Sequence, residues 1–197
     1  MKIGVIGGGQ LGRMLALAGT PLGQQFAFLD PAPDACAQAL GEHIRADYSD
    51  TDHLRQLADE VDVVTFEFES VPAETVAFLS QFVPVYPNAE SLRVARDRWF
   101  EKSMFQDLGI PTPEFADIQS QDNLDAAVKR IGLPAVMKTR TLGYDGKGQK
   151  VLRHPDDVVG AFAELGSVPC ILEGFVPFTG EVSLVAVRAR DGETRFY

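Results

Sequence analysis

Residues 2–14 read Lys2-Ile3-Gly4-Val5-Ile6-Gly7-Gly8-Gly9-Gln10-Leu11-Gly12-Arg13-Met14. A short apolar run, a glycine cluster and the start of a helical pattern predict a strand over Lys2–Ile6, a tight turn, and a helix from about Gln10. Gly7, Gly9 and Gly12 satisfy G-x-G-x-x-G. Asp30 closes the next apolar run, Gln25–Leu29, about 20 residues on, at the spacing of a dinucleotide fingerprint. The same glycines serve any phosphorylated ligand that needs close backbone approach and a helix N-terminus. A ligand-free turn packing a helix on a strand uses them too. Taken alone, the loop leaves these readings open.

Outward from the loop the alternation continues. Val61–Phe66 and Val83–Tyr86 read as strands and Ala73–Gln81 as a helix between them, which predicts an α/β fold with a parallel sheet covered on both faces. The stretch Thr65-Phe66-Glu67-Phe68-Glu69-Ser70-Val71-Pro72 puts acids at the carboxyl end of a strand, where such sheets bind ligands. In an extended chain Glu67 and Glu69 share a face. Glu67 there accepts hydrogen bonds from a ligand hydroxyl or amine, or is a solvated strand end. A long helix over Ala89–Leu108, capped by Asn88, is stopped by Gly109-Ile110-Pro111-Thr112-Pro113, and this predicts a domain boundary between 1–110 and 111–197. Beyond it, 122–131 and 156–165 read as helices. Ala135–Thr139, Gln149–Leu152, Ile171–Glu173 and Glu181–Arg190 read as strands of antiparallel character. Asp191-Gly192 signals a hairpin whose return ends at Tyr197 with no partner element, so the expected picture is the N-terminal portion of a longer protein.

In the second half, Lys138-Thr139-Arg140-Thr141-Leu142-Gly143-Tyr144-Asp145-Gly146-Lys147-Gly148-Gln149 is built to hold phosphate, although a Gly-rich, charged surface hairpin reads the same way in isolation. Its glycines allow successive N–H groups to converge on an anion. Lys138, Arg140, Lys147 and Lys150 against Asp145 concentrate positive charge in a chain whose formal net charge is -10.

That acidity, with a pI near 4.7, argues against a general nucleic-acid partner, whose binding needs spread-out Lys and Arg. A chain of 197 residues with 45% hydrophobic content buries a proper core. No stretch approaches the roughly 20 apolar residues that span a bilayer. A cytoplasmic protein with no membrane partner is expected. Cys36 and Cys170 are far apart in unrelated contexts and read as reduced thiols.

Six motifs occur in series: Gly7–Met14, Phe66–Glu69, Asp97-Arg98 with Lys102, Gly109–Pro113, Gly143–Gln149, and Glu173-Gly174-Phe175-Val176. Together they resemble the ATP-grasp carboxylate-amine ligases, and within that family those of purine biosynthesis. The likeness runs from Lys2 to the end of the chain. The resemblance implies an N-terminal Rossmann-like preATP-grasp domain over 1–110, followed over 111–197 by the ATP-binding lid subdomain and the start of the catalytic core. It implies ATP- and bicarbonate-dependent carboxylation of the amine of 5-aminoimidazole ribonucleotide through carboxyphosphate, with ATP and magnesium as cofactors. It further implies a homodimer, and magnesium ligands beyond residue 197, so that this stretch by itself is expected to be inactive.

By the same resemblance Arg98 and Lys138 contact ATP. The loop of Gly143, Tyr144, Asp145, Gly146, Lys147, Gly148 and Gln149 closes over the β- and γ-phosphates. Glu173, Gly174, Phe175 and Val176 form the hinge that holds adenine, and Glu181 binds the ribose hydroxyls. Gln10, Leu11 and Glu67 hold the acceptor ribonucleotide, while Tyr144, Asp145 and Lys147 serve catalysis from the lid. Asp145, the only acid in a basic loop, orients the amine or the carboxyphosphate. Other readings are a formate-dependent glycinamide ribonucleotide transformylase on the same plan, an NAD-dependent dehydrogenase using the first loop, and a non-catalytic nucleotide-binding regulator. Against the dehydrogenase, His43, His53 and His154 all sit in polar, turn-like or helix-start surroundings.

Overall fold

The computed structural model describes residues 1–143, 147–189 and 191–197. The first part of the chain gives β1 (Lys2–Ile6), α1 (Gln10–Gly19), β2 (Gln25–Leu29), β3 (Glu42–Ile44), α2 (Thr51–Glu60), β4 (Val63–Phe66), α3 (Ala73–Leu79), α4 (Ala89–Ala95) and α5 (Arg98–Asp107). The rest gives β5 (Phe115–Ile118), α6 (Gln121–Ile131), β6 (Ala135–Thr139), β7 (Gln149–Leu152), α7 (Pro155–Val158), α8 (Ala161–Glu164), β8 (Cys170–Gly174), β9 (Ala186–Arg188) and β10 (Thr194–Phe196).

Among the described residues the first sheet runs β3-β2-β1-β4, all parallel. Val5, Ile6, Phe28, Leu29 and Val64 are fully buried in it, because β1 and β2 carry apolar side chains on both faces and helices cover both. The second sheet, β5-β8-β6-β7, is antiparallel throughout. Its core is Ile118, Leu124, Met137, Leu152 and Leu172, under α6 and α8. The two cores share no residue.

Several expected elements differ. The 83–86 run contributes an isolated bridge rather than a strand: Val85 pairs with Val64, with Pro84 O accepting from Val64 N–H at 2.9 Å. The helix expected over 89–108 breaks at Arg96-Asp97 into α4 and α5, since Asp97 is extended and its carboxylate caps α5 by accepting from Trp99 N–H at 2.9 Å. The helix expected over 156–165 is likewise split, at Val159-Gly160, where Gly160 has φ +74°. The strand expected over 181–190 shrinks to β9, which pairs with β10 across the Asp191-Gly192 turn. Both strands of that hairpin are exposed, so they gain no support from packing that would extend them toward 181. Three further elements lie outside the expected set: the short edge strand β3, which pairs with β2, the amphipathic α2, capped by Asp50, and the short β5, which pairs with β8.

Candidate active site

The glycine turn after β1 is closed from inside the protein. Gly8 N–H donates to Asp30 Oδ2 at 2.7 Å, and Asp30, 7% exposed, also accepts from Tyr48 Oη–H at 3.1 Å. Burial and the Asp30 charge push the Tyr48 phenol well above its ordinary value. Glu67 Oε1 accepts from Gly9 N–H at 2.7 Å and Glu67 Oε2 from Gly12 N–H. The first turn of a helix has orphan N–H groups and a positive end, and here a carboxylate from the end of β4 satisfies them. Hydrogen bonds to a charged acceptor are worth roughly 1.5–3 kcal/mol each. A methyl group at Gly12 would meet Glu67 Oε2 at 2.9 Å and Gly7 O at 3.0 Å, so glycine is required for this approach.

This arrangement revises two expectations. The amides a dinucleotide phosphate would use already carry Asp30 and Glu67. β4 ends at Phe66, so the face-sharing argument for Glu67 and Glu69 does not extend to them: Glu67 turns to the glycine loop and Glu69 is exposed. Both still line a cavity of about 330 Å³ with Phe66, Phe68, Pro87 and Leu92, at the carboxyl end of the parallel sheet. Gln10 and Leu11 begin α1 and are exposed.

The second cluster lies where α5 meets the antiparallel sheet. Arg98 Nη1 donates to Thr139 O at 2.8 Å and Nη2 to Gly143 O at 2.5 Å, and its backbone N–H donates to Arg140 O at 3.0 Å. The root of the Lys138–Gln149 loop is thereby pinned to α5. Thr139 N–H donates to Gly148 O at 2.7 Å, closing the two ends of the loop on each other. Gly148 has φ +68°, and a Cβ there would lie 2.7 Å from Thr139 Oγ1, so only glycine fits without displacing Thr139. Lys147 and Gln149 are exposed. Tyr144, Asp145 and Gly146 lie outside the described residues.

The loop's charge is largely committed. Arg140 forks onto Asp97, with Nη2 to Oδ2 at 2.6 Å and Nε to Oδ1 at 3.0 Å, and reaches Asp117 Oδ1 at 3.2 Å. Hydrogen bonding to Asp97 holds the Arg140 guanidinium above its ordinary value despite its partial burial. Lys150 pairs with Glu164 at 2.7 Å and Lys138 with Glu173 Oε2 at 3.0 Å. The sequence presents Arg140 as part of the loop's positive charge and Asp97 as part of the Asp97-Arg98 motif, but not the ion pair that they form. Asp97 is a capping residue type, but it stands inside a helical pattern that runs on through it.

Glu173 is buried near the end of β8, and Gly174, Phe175 and Val176 lead out of the strand toward solvent. Gly174 N–H donates to Glu114 O at 2.9 Å and Phe175 N–H to Pro134 O at 3.2 Å. These bonds tie the segment, as β8 ends, to the residues that precede β5 on one side and β6 on the other. Glu181 is exposed and outside any strand. The geometry therefore brings Arg98, Lys138, Gly143, Gly148 and Glu173 together, and it places Gln10, Leu11 and Glu67 at the other sheet.

Family models match the two halves in tandem: a ribonucleotide synthetase preATP-grasp domain over residues 1–96 and an ATP-grasp domain over residues 103–197. The N5-carboxyaminoimidazole ribonucleotide synthase of Pseudomonas aeruginosa is 89% identical over 197 residues, 100% of this chain and 55% of that protein. The crystal structure of N5-carboxyaminoimidazole ribonucleotide synthetase from Thermus thermophilus superposes with a TM-score of 0.90 at 49% identity, over 99% of this chain and 52% of that one. The N5-carboxyaminoimidazole synthase of Aspergillus clavatus, in complex with ADP and 5-aminoimidazole ribonucleotide, superposes with a TM-score of 0.89 at 27% identity, over 100% of this chain and 52% of that one. The chain spans about half the length of the curated relatives it matches. With a parallel glycine-loop sheet followed by an antiparallel sheet whose glycine loop is pinned by Arg98, the chain belongs to the ATP-grasp family, as a preATP-grasp domain joined to an ATP-grasp domain.

Proposed function

We propose that this chain carries the nucleotide-lid and acceptor-binding parts of a ligase that uses ATP and bicarbonate to carboxylate the amine of 5-aminoimidazole ribonucleotide in purine biosynthesis. The observation that carries this reading is the convergence of Lys138 and Glu173, on the inner strands β6 and β8 of the antiparallel sheet, with the Arg98-pinned root of the glycine loop beside α5. The names and bound ligands of the relatives support it. A bicarbonate oxygen attacks the γ-phosphorus of ATP, the bond to the β-phosphate oxygen breaks, and carboxyphosphate and ADP result. The aminoimidazole nitrogen then attacks the carboxyl carbon, inorganic phosphate leaves, and the nitrogen loses a proton to give the carbamate.

Both steps build negative charge, which fixed cations and N–H groups stabilise. In this reading Lys138 reaches the phosphates as a point charge and Arg98 anchors the lid that covers them. Gly143–Gln149 close over the β- and γ-phosphates, Glu173–Val176 hold adenine, and Glu181 meets the ribose. Gln10, Leu11 and Glu67 border the acceptor, with Glu67 placing the loop that presents Gln10 and Leu11. Tyr144, Asp145 and Lys147 act from the lid. We further assign the two domains to 1–110 and 111–197, in keeping with the separate cores, and infer a cytoplasmic homodimer. The resemblance also implies magnesium. Among the described residues no group of three or more His, Cys, Asp or Glu side chains is placed to hold a metal ion.

The test is ADP release by the intact protein with ATP, bicarbonate and 5-aminoimidazole ribonucleotide, beside formate with glycinamide ribonucleotide. Release with the first set alone is expected. Release only with formate would replace the reading by the transformylase.

A further inference from the structure

Lys138 is not waiting for a phosphate. Its Nζ donates to Glu173 Oε2 at 3.0 Å, and that carboxylate is 5% exposed. To reach a nucleotide, Lys138 must leave a buried anion, and a buried carboxylate that loses its counter-ion is strongly disfavoured. A second cation stands by. Lys102, on the α5 helix, places Nζ 3.4 Å from the same Oε2, outside ordinary hydrogen-bonding distance, and Glu173 is its ionic partner among the described residues. The other oxygen, Oε1, is buried with no hydrogen-bond partner among the described residues. The carboxylate thus has unused acceptor capacity on one oxygen and two competing lysines on the other.

We propose that Lys102 is a positioning residue that takes over Glu173 when Lys138 turns to the nucleotide phosphates, so that Lys138 is released without stranding a buried charge. This rests on the proposal that the site binds ATP. Lys102 approaches from α5 while Lys138 and Glu173 sit on neighbouring strands of the sheet, β6 and β8. Closing the gap from 3.4 Å to contact needs only a side-chain movement, and Oε1 offers a second place for the ammonium to bind. The handover affects only ligands that carry phosphates, because adenine and ribose do not draw Lys138 away.

The test is titration of the intact protein with ATP and, separately, with adenosine, comparing wild type with Lys102→Met and Lys102→Arg. Side chains in one ion-pair network couple strongly enough that Lys102→Met is expected to weaken ATP binding roughly tenfold. Adenosine binding should stay within about twofold, since no coupled pair is broken. Lys102→Arg should restore most of the ATP affinity, and in turnover the loss should appear in KM for ATP more than in kcat. Unchanged ATP affinity in Lys102→Met, or equal losses for ATP and adenosine, overturns the proposal; the latter would make Lys102 a prop for the hinge. Wild type that binds neither ligand would instead refute the ATP-site reading. If Lys102→Met does not fold, Glu173→Gln and Glu173→Gln/Lys102→Met carry the test. With the buried charge gone the two should bind ATP equally, and a further loss in the double variant overturns the handover.

Discussion

Asp97 shows how much one side chain decides here. It ends α4, caps α5 and receives the Arg140 fork, with both partners largely shielded from water. Removing one member of such a pair leaves the other buried and uncompensated. Arg140→Met is therefore expected to lower the unfolding free energy by about 3 kcal/mol, measured by chemical denaturation. A loss well under about 1 kcal/mol would place the pair with ordinary surface bridges. Cysteine reactivity gives a second residue-scale prediction. Burial, then the Asp117 charge, pushes the Cys170 thiol up to about 11, whereas Cys36 is exposed. The reactive form is the thiolate, so at pH 8 a thiol reagent should modify Cys36 readily and leave Cys170 untouched. Raising the pH to 9 should not expose Cys170, because its ionisation lies higher still; denaturant should. Rapid reaction of both thiols at pH 8 in the native protein would contradict the burial.

At the level of elements, the loop between β6 and β7 is closed at its root by Thr139 N–H on Gly148 O and by Arg98 on the Thr139 and Gly143 carbonyls. Gly148→Ala should strain this closure by roughly 1–2 kcal/mol, the usual cost of a left-handed backbone for a residue with a Cβ, and should weaken ATP binding through the displaced Thr139. Thermal melting and ATP titration check the two effects separately. The glycine turn before α1 makes the complementary case. Glu67→Ala removes the acceptor for Gly9 and Gly12 N–H, so those amides should exchange with solvent faster while those of β1 keep their protection. Elements of this kind were legible to different degrees. Lys2–Ile6, Gln25–Leu29 and Ala135–Thr139 are legible to the residue as compact, mainly apolar runs bounded by turn residues, and Gln149–Leu152 as the short run that follows the glycine loop. The break at Arg96-Asp97 is not legible, since the helical pattern of 89–108 runs through it and Arg140, which pairs with the capping Asp97, lies 43 residues on. The strand expected over 181–190 shrinks for the opposite reason: its pattern suits a sheet, but among the described residues no strand pairs with 181–184, and Val185 only accepts from Tyr197 N–H at 2.9 Å.

For the molecule as a whole, α5 is the joint. Through Arg98, Lys102 and Asp97 it holds the antiparallel sheet, while α4, just before it, packs with α3 beside the parallel one. Of the candidate site, the sequence marks candidate segments but not how they are wired. It presented Lys138, Arg140 and Lys150 as a pool of positive charge, and the fold spends each on a carboxylate brought from elsewhere. Pairings over such separations depend on topology and leave no local mark. A ligand that binds only the folded protein stabilises it by about 2.7 kcal/mol at a hundredfold excess over Kd. ATP should therefore raise the melting temperature of the intact protein, whereas NAD at equal concentration should leave it unchanged, because Asp30 and Glu67 already hold the first loop's amides. A melting shift with NAD would mean that these carboxylates yield to a phosphate. The internal carboxylate also makes the fingerprint and position 67 a single inherited unit. A descendant that lost Glu67 would expose a bare anion cradle open to new phosphorylated metabolites, and one that gained bulk at Gly12 would have to surrender the acid with it.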